Sequence, residues 1–377
     1  MTTFDFVIVG AGLSGATIAQ MAAQDGYKVL VVDKRNHIAG NCYDEVDEQT
    51  GIRVNRYGAH IFHTNDEEVW NYVQQFGPWR RWDHKVIADV SGLLVPIPVC
   101  PTTVNTLLGT NISSDVEMKE WLKNNTIPCQ SPKNSAEIAL SRVGPELYKL
   151  LFQEYTKKQW DKDPSELDPS VLARIPVRHG FDERYFSDKF QGLPENGYTA
   201  IVENMLNHPN ISVQLGVSWE DFQCAAMEEG IQWKELIFTG RIDQYFQHLG
   251  LPPLEYRSIN FQWIRMKNSG YFQSNSVVNF PMAHMPYTRC VEYKHFLHQK
   301  GPWTIVCFET TCANGEPYYP VPTSENMSLY ERYNRYAEKQ KHVHFIGRLA
   351  SYKYFNMDQA IRNAMDYYRE HLQYYSI

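Results

Sequence analysis

The sequence predicts an α/β protein whose two chain ends build one parallel-sheet unit around a helical insert and an antiparallel β-sheet. Three observations predict this. An apolar run, a glycine turn, a small-residue helical stretch and a second apolar run follow one another at the N-terminus. Helical spacing broken by proline dominates residues 100–175, and short β-prone runs fill residues 241–325 before a closing strand, turn and helix.

Residues 6–9 read as a buried strand, 10–15 as a tight turn, 14–24 as a helix of small residues and 28–32 as a second buried strand, a βαβ opening. Over residues 66–76, Val69, Tyr72 and Val73 share one helical side, and Pro78 stops the helix. A strand-like stretch with Pro96, Pro98 and Pro101 leads into helices over 116–124, 135–143 and 146–158, the last starting just after Gly144-Pro145. From 174 to 198 the pattern weakens into an Arg/Gly/Phe/Tyr-rich connection, the place for a mobile binding loop. A helix resumes over 198–207. The runs 235–239, 258–266, 276–280 and 304–309 read as strands of an antiparallel sheet, and 343–346, Gly347 and 357–370 as the closing strand, turn and helix.

At roughly 100 to 200 residues per domain, 377 residues make two or three packed units. The chain is 43% hydrophobic and 21% charged, which fits a globular fold and excludes a mainly disordered one. Its formal net charge of -7 gives no general attraction to nucleic acid. No stretch approaches the roughly 20 consecutive apolar residues of a membrane span. The N-terminal apolar run leads into glycines instead of a cleavage site, the pattern expected of a cytoplasmic protein. Seven scattered cysteines without a CxxC pair signal neither a disulfide framework nor zinc, and buried thiols are expected. Aromatic residues make up 14% of the chain, and aromatic faces suit planar rings and sugars.

Gly10-Ala11-Gly12-Leu13-Ser14-Gly15 satisfies GxGxxG between a strand and a helix, with Asp33 ending the next strand. The glycines admit a pyrophosphate, the helix N-terminus attracts it, and the acid can hold ribose hydroxyls, so a Rossmann-like dinucleotide site is expected. The continuation through Lys34, Arg35, Gly40 and Asn41 resembles flavoproteins that hold FAD with this stretch. Met357, opening a late helix after Gly347-Arg348, would bring a second helix N-terminus to the far end of such a cofactor. His60 and His63 lie three apart in YGAHIFHT with no accompanying ligand set, so no metal is expected. Arginine, lysine and aromatic residues mix in four further stretches, YTKKQW, RIPVR, PYTR and EPYYP, and together suggest a second nucleotide site.

These motifs, together with DKRNHIAGN, QGLPENGYT, IDQYF, KHF and GRLASYKY, resemble the bacterial-type UDP-galactopyranose mutases, in the same order from near residue 6 to near residue 360. The resemblance implies an isomerase that interconverts UDP-galactopyranose and UDP-galactofuranose by covalent catalysis through N5 of reduced FAD, with no net redox change. It also implies a homodimer and an external reductant such as NAD(P)H. Position by position, Arg174 and Arg289 match the arginines that clamp the diphosphate, Arg174 from the mobile loop. Tyr155, Thr156 and Trp160 match the motif that lines the base and sugar region. Tyr185 and Asn279 match substrate contacts, and Tyr318 or Tyr319 with Tyr354 match the phosphate-binding tyrosines, Tyr318 being preferred. His60 and His63 match the flavin-face segment.

Two positions depart from the family pattern. Asn356 stands where a carboxylate is expected near the substrate, and Arg241 adds a cation at the cofactor edge. Both leave open a mutase of another nucleotide sugar, a dTDP-6-deoxyhexose such as dTDP-fucopyranose or UDP-arabinopyranose. More distant alternatives are an FAD-dependent amine oxidase or desaturase, or a decayed enzyme that only binds nucleotide. The expected architecture is a discontinuous FAD-binding domain (1–78, 195–240, 326–377), a helical domain (100–175, its loop reaching about 185) and an antiparallel sheet/substrate domain (79–99, 186–194, 241–325).

Overall fold

The computed structural model describes residues 2–173, 176–267 and 270–373. Its first sheet has five parallel strands in the order Ile211–Leu215, Val29–Asp33, Thr2–Val9, Ile231–Phe238, Val343–Phe345. Strand order therefore reverses at Thr2–Val9, and in such sheets the crevice at the carboxyl ends of the strands at that reversal is the ligand position. Helix Leu13–Gln24 follows at once, its small residues buried from Ser14 to Gln20, where it packs against helices Gly197–Leu206 and Met357–Tyr367. Residues 231–238, part of which the sequence groups with antiparallel runs, belong to this parallel sheet. Toward its end that strand is buried on both faces, the continuous apolar run Leu236-Ile237-Phe238 that marks a parallel strand, and only its exposed start alternates as an antiparallel one does.

The second sheet has seven strands in the order Tyr319–Pro320, Tyr256–Lys267, Trp303–Cys312, Arg289–Glu292, Val277–Asn279, Val86–Val90, Leu93–Ile97. It is antiparallel except where Val277–Asn279 joins Val86–Val90 in parallel. Strands Trp79–Arg81 and Phe190–Pro194, grouped from sequence with this sheet, pair instead around Phe62–Thr64 as a separate three-stranded sheet.

Between the strands lie helices Pro101–Leu108, Asp115–Asn125, Ser135–Leu147 and Glu154–Trp160. The expected break at Gly144-Pro145 appears as a kink inside Ser135–Leu147, where Gly144 takes φ 79° and an added Cβ would fall 2.1 Å from the Asn125 carbonyl oxygen. A wide turn over Tyr148–Gln153 then feeds Glu154–Trp160. No helix among the described residues is long and apolar enough to cross a membrane. Of the cysteines, Cys42, Cys100, Cys290 and Cys307 are buried, whereas Cys129 and Cys224 are exposed and Cys312 is half-buried.

Candidate active site

The glycine loop Gly10–Gly15 sits at the carboxyl end of Thr2–Val9, and two of its glycines, Gly10 and Gly15, are sterically required. A Cβ on Gly15 would lie 2.0 Å from the Gly10 carbonyl oxygen, and one on Gly10, at φ +112°, 2.0 Å from Thr239 Oγ1. Asp33 braces the loop: its Oδ2 accepts from the Ala11 N–H at 2.8 Å and its Oδ1 from the Arg35 N–H at 2.9 Å. A cavity of about 240 Å³ opens here. Every residue the sequence assigned to the cofactor lines it, from the glycine loop through Lys34, Arg35, Gly40 and Asn41 to His60, Gly347, Arg348 and Met357.

Two helix N-termini, at Leu13 and Met357, begin on this lining and bring partial positive charge to it. That cradle fits a dinucleotide with its pyrophosphate against the glycines. Glu316, which sequence reading missed, pairs with Lys34 at 3.0 Å and Arg35 at 3.3 Å, while Arg35 also lies 4.3 Å over the Tyr57 ring. Arg241 lines the cavity too, but Asp243 accepts from its Nε at 3.1 Å and offsets the extra cation.

A second cavity, of about 610 Å³, meets the first at Asn41, His60, Arg348, Asn356 and Met357. Tyr155, Thr156 and Trp160 reach it from Glu154–Trp160, and Asn279 and Arg289 from directly opposed positions of a hairpin. Tyr185, His63, Tyr318, Tyr354 and Asn356 complete the expected set, whereas Arg174 lies outside the described residues. Asn356 is the N-cap of Met357–Tyr367, its N–H donating to Gln359 Oε1 at 3.0 Å. Tyr318 is 6% exposed, wedged against Phe261 and Tyr57. Its neighbour Tyr319 stacks on Tyr354 at 5.6 Å and stands 6.1 Å from Trp160, so it too shares the wall with expected residues. Burial pushes the Tyr319 hydroxyl up to about 12, which keeps it a hydrogen-bond donor.

Arg289 is held by Glu309, whose Oε2 accepts from Arg289 Nε at 2.7 Å. Glu309 is 2% exposed, and among the described residues its Oε1 has no hydrogen-bond partner. The single acid in the apolar strand Trp303–Cys312 gives no sign of this in sequence. Only the register, Arg289 opposite Glu309, reveals the pair.

Neither expected histidine stands as a free acid. His60 Nδ1 lies 2.7 Å from the Gly58 carbonyl oxygen, and burial, reinforced by Arg348 and Arg289, pulls the ring down to about 4. It is neutral near pH 7. His63 Nδ1 lies 3.0 Å from Asp188 Oδ2, and its ring stacks on Phe186 at 3.6 Å. His84, absent from the sequence assignment, is buried against the same cavity and pulled down to about 3 by burial, with Arg289 acting in the same direction.

Because its folded value lies below the ordinary 6.5, the unfolded chain takes up a proton at His84 that the folded protein does not as pH falls below 6.5. Stability should therefore drop by about 2 kcal/mol between pH 7 and pH 5 from this residue alone. Urea titrations at both pH values should show the drop in the wild type and a smaller one in His84→Asn. An equal drop in both would remove His84 from the cause.

Known proteins place this arrangement. The sequence model of the UDP-galactopyranose mutase family matches residues 150–354, and that of the NAD(P)-binding Rossmann-like domain matches residues 8–76. The chain is 39% identical to dTDP-fucopyranose mutase of Escherichia coli, covering 96% of each chain. It is 37% identical to a probable UDP-galactopyranose mutase of Klebsiella pneumoniae, over 97% of this chain and 94% of that one. A crystal structure of reduced UDP-galactopyranose mutase superposes with a TM-score of 0.74 at 15% identity, covering 97% of this chain and 96% of the other, so the likeness extends through the whole fold. With its glycine cradle opening onto an arginine- and tyrosine-lined cavity, the chain belongs to the UDP-galactopyranose mutase family of flavoprotein isomerases.

Proposed function

We propose that this protein interconverts UDP-galactopyranose and UDP-galactofuranose with reduced FAD, without net oxidation of the sugar. The observation that carries this reading is the meeting of the two cavities at His60, Arg348, Asn356 and Met357, which would set a cofactor and a nucleotide sugar edge to edge. The reduced flavin, when bound, would supply a nucleophilic nitrogen for covalent catalysis. The chain's own residues would bind, orient and stabilise charge. Arg289, held by Glu309, and Arg174 would take the diphosphate, which gains negative charge as the glycosidic bond breaks. Tyr319 or Tyr318, with Tyr354, would donate hydroxyl hydrogen bonds to the phosphates. Tyr155, Thr156, Trp160, Tyr185 and Asn279 would hold base and sugar.

His60, neutral and tied to Gly58, would shape the flavin-face backbone instead of carrying protons. We place the enzyme in the cytoplasm as a homodimer that receives electrons from an external donor such as NAD(P)H. Acid-denatured protein should release FAD, and flavin-loaded protein should bind UDP in either redox state. Release of a different cofactor, or no UDP binding, would overturn the reading.

A second reading, a dTDP-6-deoxyhexose as substrate, is favoured by Asn356, where the family pattern has a carboxylate, and by the similarity to dTDP-fucopyranose mutase. An amide keeps a hydrogen bond but loses the charge that accepts from two hydroxyls. Asn356→Asp should shift relative kcat/KM toward UDP-galactose by about tenfold if the amide tunes sugar choice, one charge-assisted hydrogen bond being of that size. Parallel kinetics on both nucleotide sugars decides, and an unchanged ratio would exclude Asn356 as the determinant.

A further inference from the structure

Lys158 sits within the motif that supplies Tyr155, Thr156 and Trp160, yet it is not among the residues lining the substrate cavity. Its ammonium is instead surrounded by the carbonyl oxygens of one loop: Met282 and Met285 at 3.1 Å each, Tyr287 at 2.9 Å, and Phe280. That loop joins Val277–Asn279 to Arg289–Glu292, so the cage lies between the two opposed substrate-cavity residues Asn279 and Arg289. Within the loop the backbone closes with Phe280 N–H donating to Thr288 O at 2.8 Å and Met285 N–H to Met282 O at 3.2 Å. Four carbonyl dipoles pointing at one spot repel one another unless a cation occupies it. The Lys158 main chain is tied as well, its carbonyl accepting from Thr311 Oγ1 on Trp303–Cys312.

We propose that Lys158 is a positioning residue that fixes the width of the nucleotide-sugar site. By ordering residues 280–288 from the helix that carries Tyr155 and Trp160, it sets Asn279 and Arg289 at one distance from those aromatics. This rests on the reading of the larger cavity as a nucleotide-sugar site. An ammonium suits the task because it is a compact charge whose donors rotate to any carbonyl arrangement, as a planar guanidinium cannot.

The test uses flavin-loaded full-length protein, with UDP and dTDP titrated by protein fluorescence, KM and kcat measured on the accepted nucleotide sugar, and hydrogen exchange followed at 280–288. Lys158→Met should raise the nucleoside diphosphate Kd and KM by roughly 10- to 100-fold, the cost of removing a half-buried charged donor group that serves four carbonyls. It should leave kcat within about threefold, since the interaction acts on bound substrate and transition state alike. Exchange at 280–288 should accelerate. Lys158→Gln, which keeps two N–H donors without the charge, should fall between, and it decides the case if Lys158→Met does not fold. Lys157→Met, next door but paired with Glu154 and Asp163 at the surface, should behave as wild type.

Wild-type Kd and KM in Lys158→Met or Lys158→Gln, or a fall in kcat at constant KM, would overturn the proposal. If wild-type protein binds neither UDP nor dTDP, the site reading itself fails, and the proposal with it.

Discussion

Arg289→Ala should lower kcat/KM by about 10³-fold while the protein keeps its flavin. Removing one preorganised donor from a developing anion costs 10²–10³ in rate, and Arg289 would also contribute to binding. The structure adds a second consequence. Glu309, 2% exposed, would lose its partner, and a buried carboxylate left alone destabilises a fold by roughly 3–5 kcal/mol. The double variant Arg289→Ala/Glu309→Gln should therefore recover stability without recovering turnover. Steady-state kinetics, the flavin spectrum and thermal unfolding of both variants check this. Loss of the yellow cofactor from Arg289→Ala in folded protein would show that the arginine belongs to the cofactor site.

Gly15→Ala should produce protein without flavin. The added methyl would stand 2.0 Å from the Gly10 carbonyl oxygen and 3.2 Å from a branch of Ile8, and the first of these is main chain that cannot rotate away. Relief requires the loop to open, which displaces the amides that would face the pyrophosphate. Overpacking of this kind costs about 1–3 kcal/mol, so the chain should still fold. The absorbance ratio of flavin to protein after purification measures the outcome. A normal ratio would mean that the cofactor lies elsewhere.

How much of the fold and site is legible in sequence follows from which signals are local. The glycine turn, Asp33 and the flanking strands are contiguous, so the βαβ opening and the glycine-loop side of the first cavity can be named from sequence, whereas Glu316 and Trp219 reach the same cavity from distant segments and cannot. The larger cavity is legible through short motifs, because YTKKQW and PYTR each keep their residues together. What escapes depends on pairing between distant strands. Glu309 acquires meaning only from its register with Arg289, and the Lys158 cage only from a loop 122 residues or more away. The parallel joint between Val277–Asn279 and Val86–Val90 leaves no local trace either, since strand periodicity is the same in both directions. Tyr318 and Tyr319 are adjacent, and the half-turn that separates their surroundings is set by the pairing of Arg257 with Tyr319.

On the proposed function, the two joined cavities would bring a reduced flavin to the anomeric carbon of a nucleotide sugar. The most direct measurement is product chromatography with purified, flavin-loaded protein, before and after dithionite reduction, offered UDP-galactofuranose and, in parallel, a dTDP-6-deoxyhexofuranose. Reduced protein should convert at least one of them from furanose to pyranose, and oxidised protein should convert neither. No conversion of either by fully reduced, flavin-loaded protein would contradict it, as would net oxidation of the sugar.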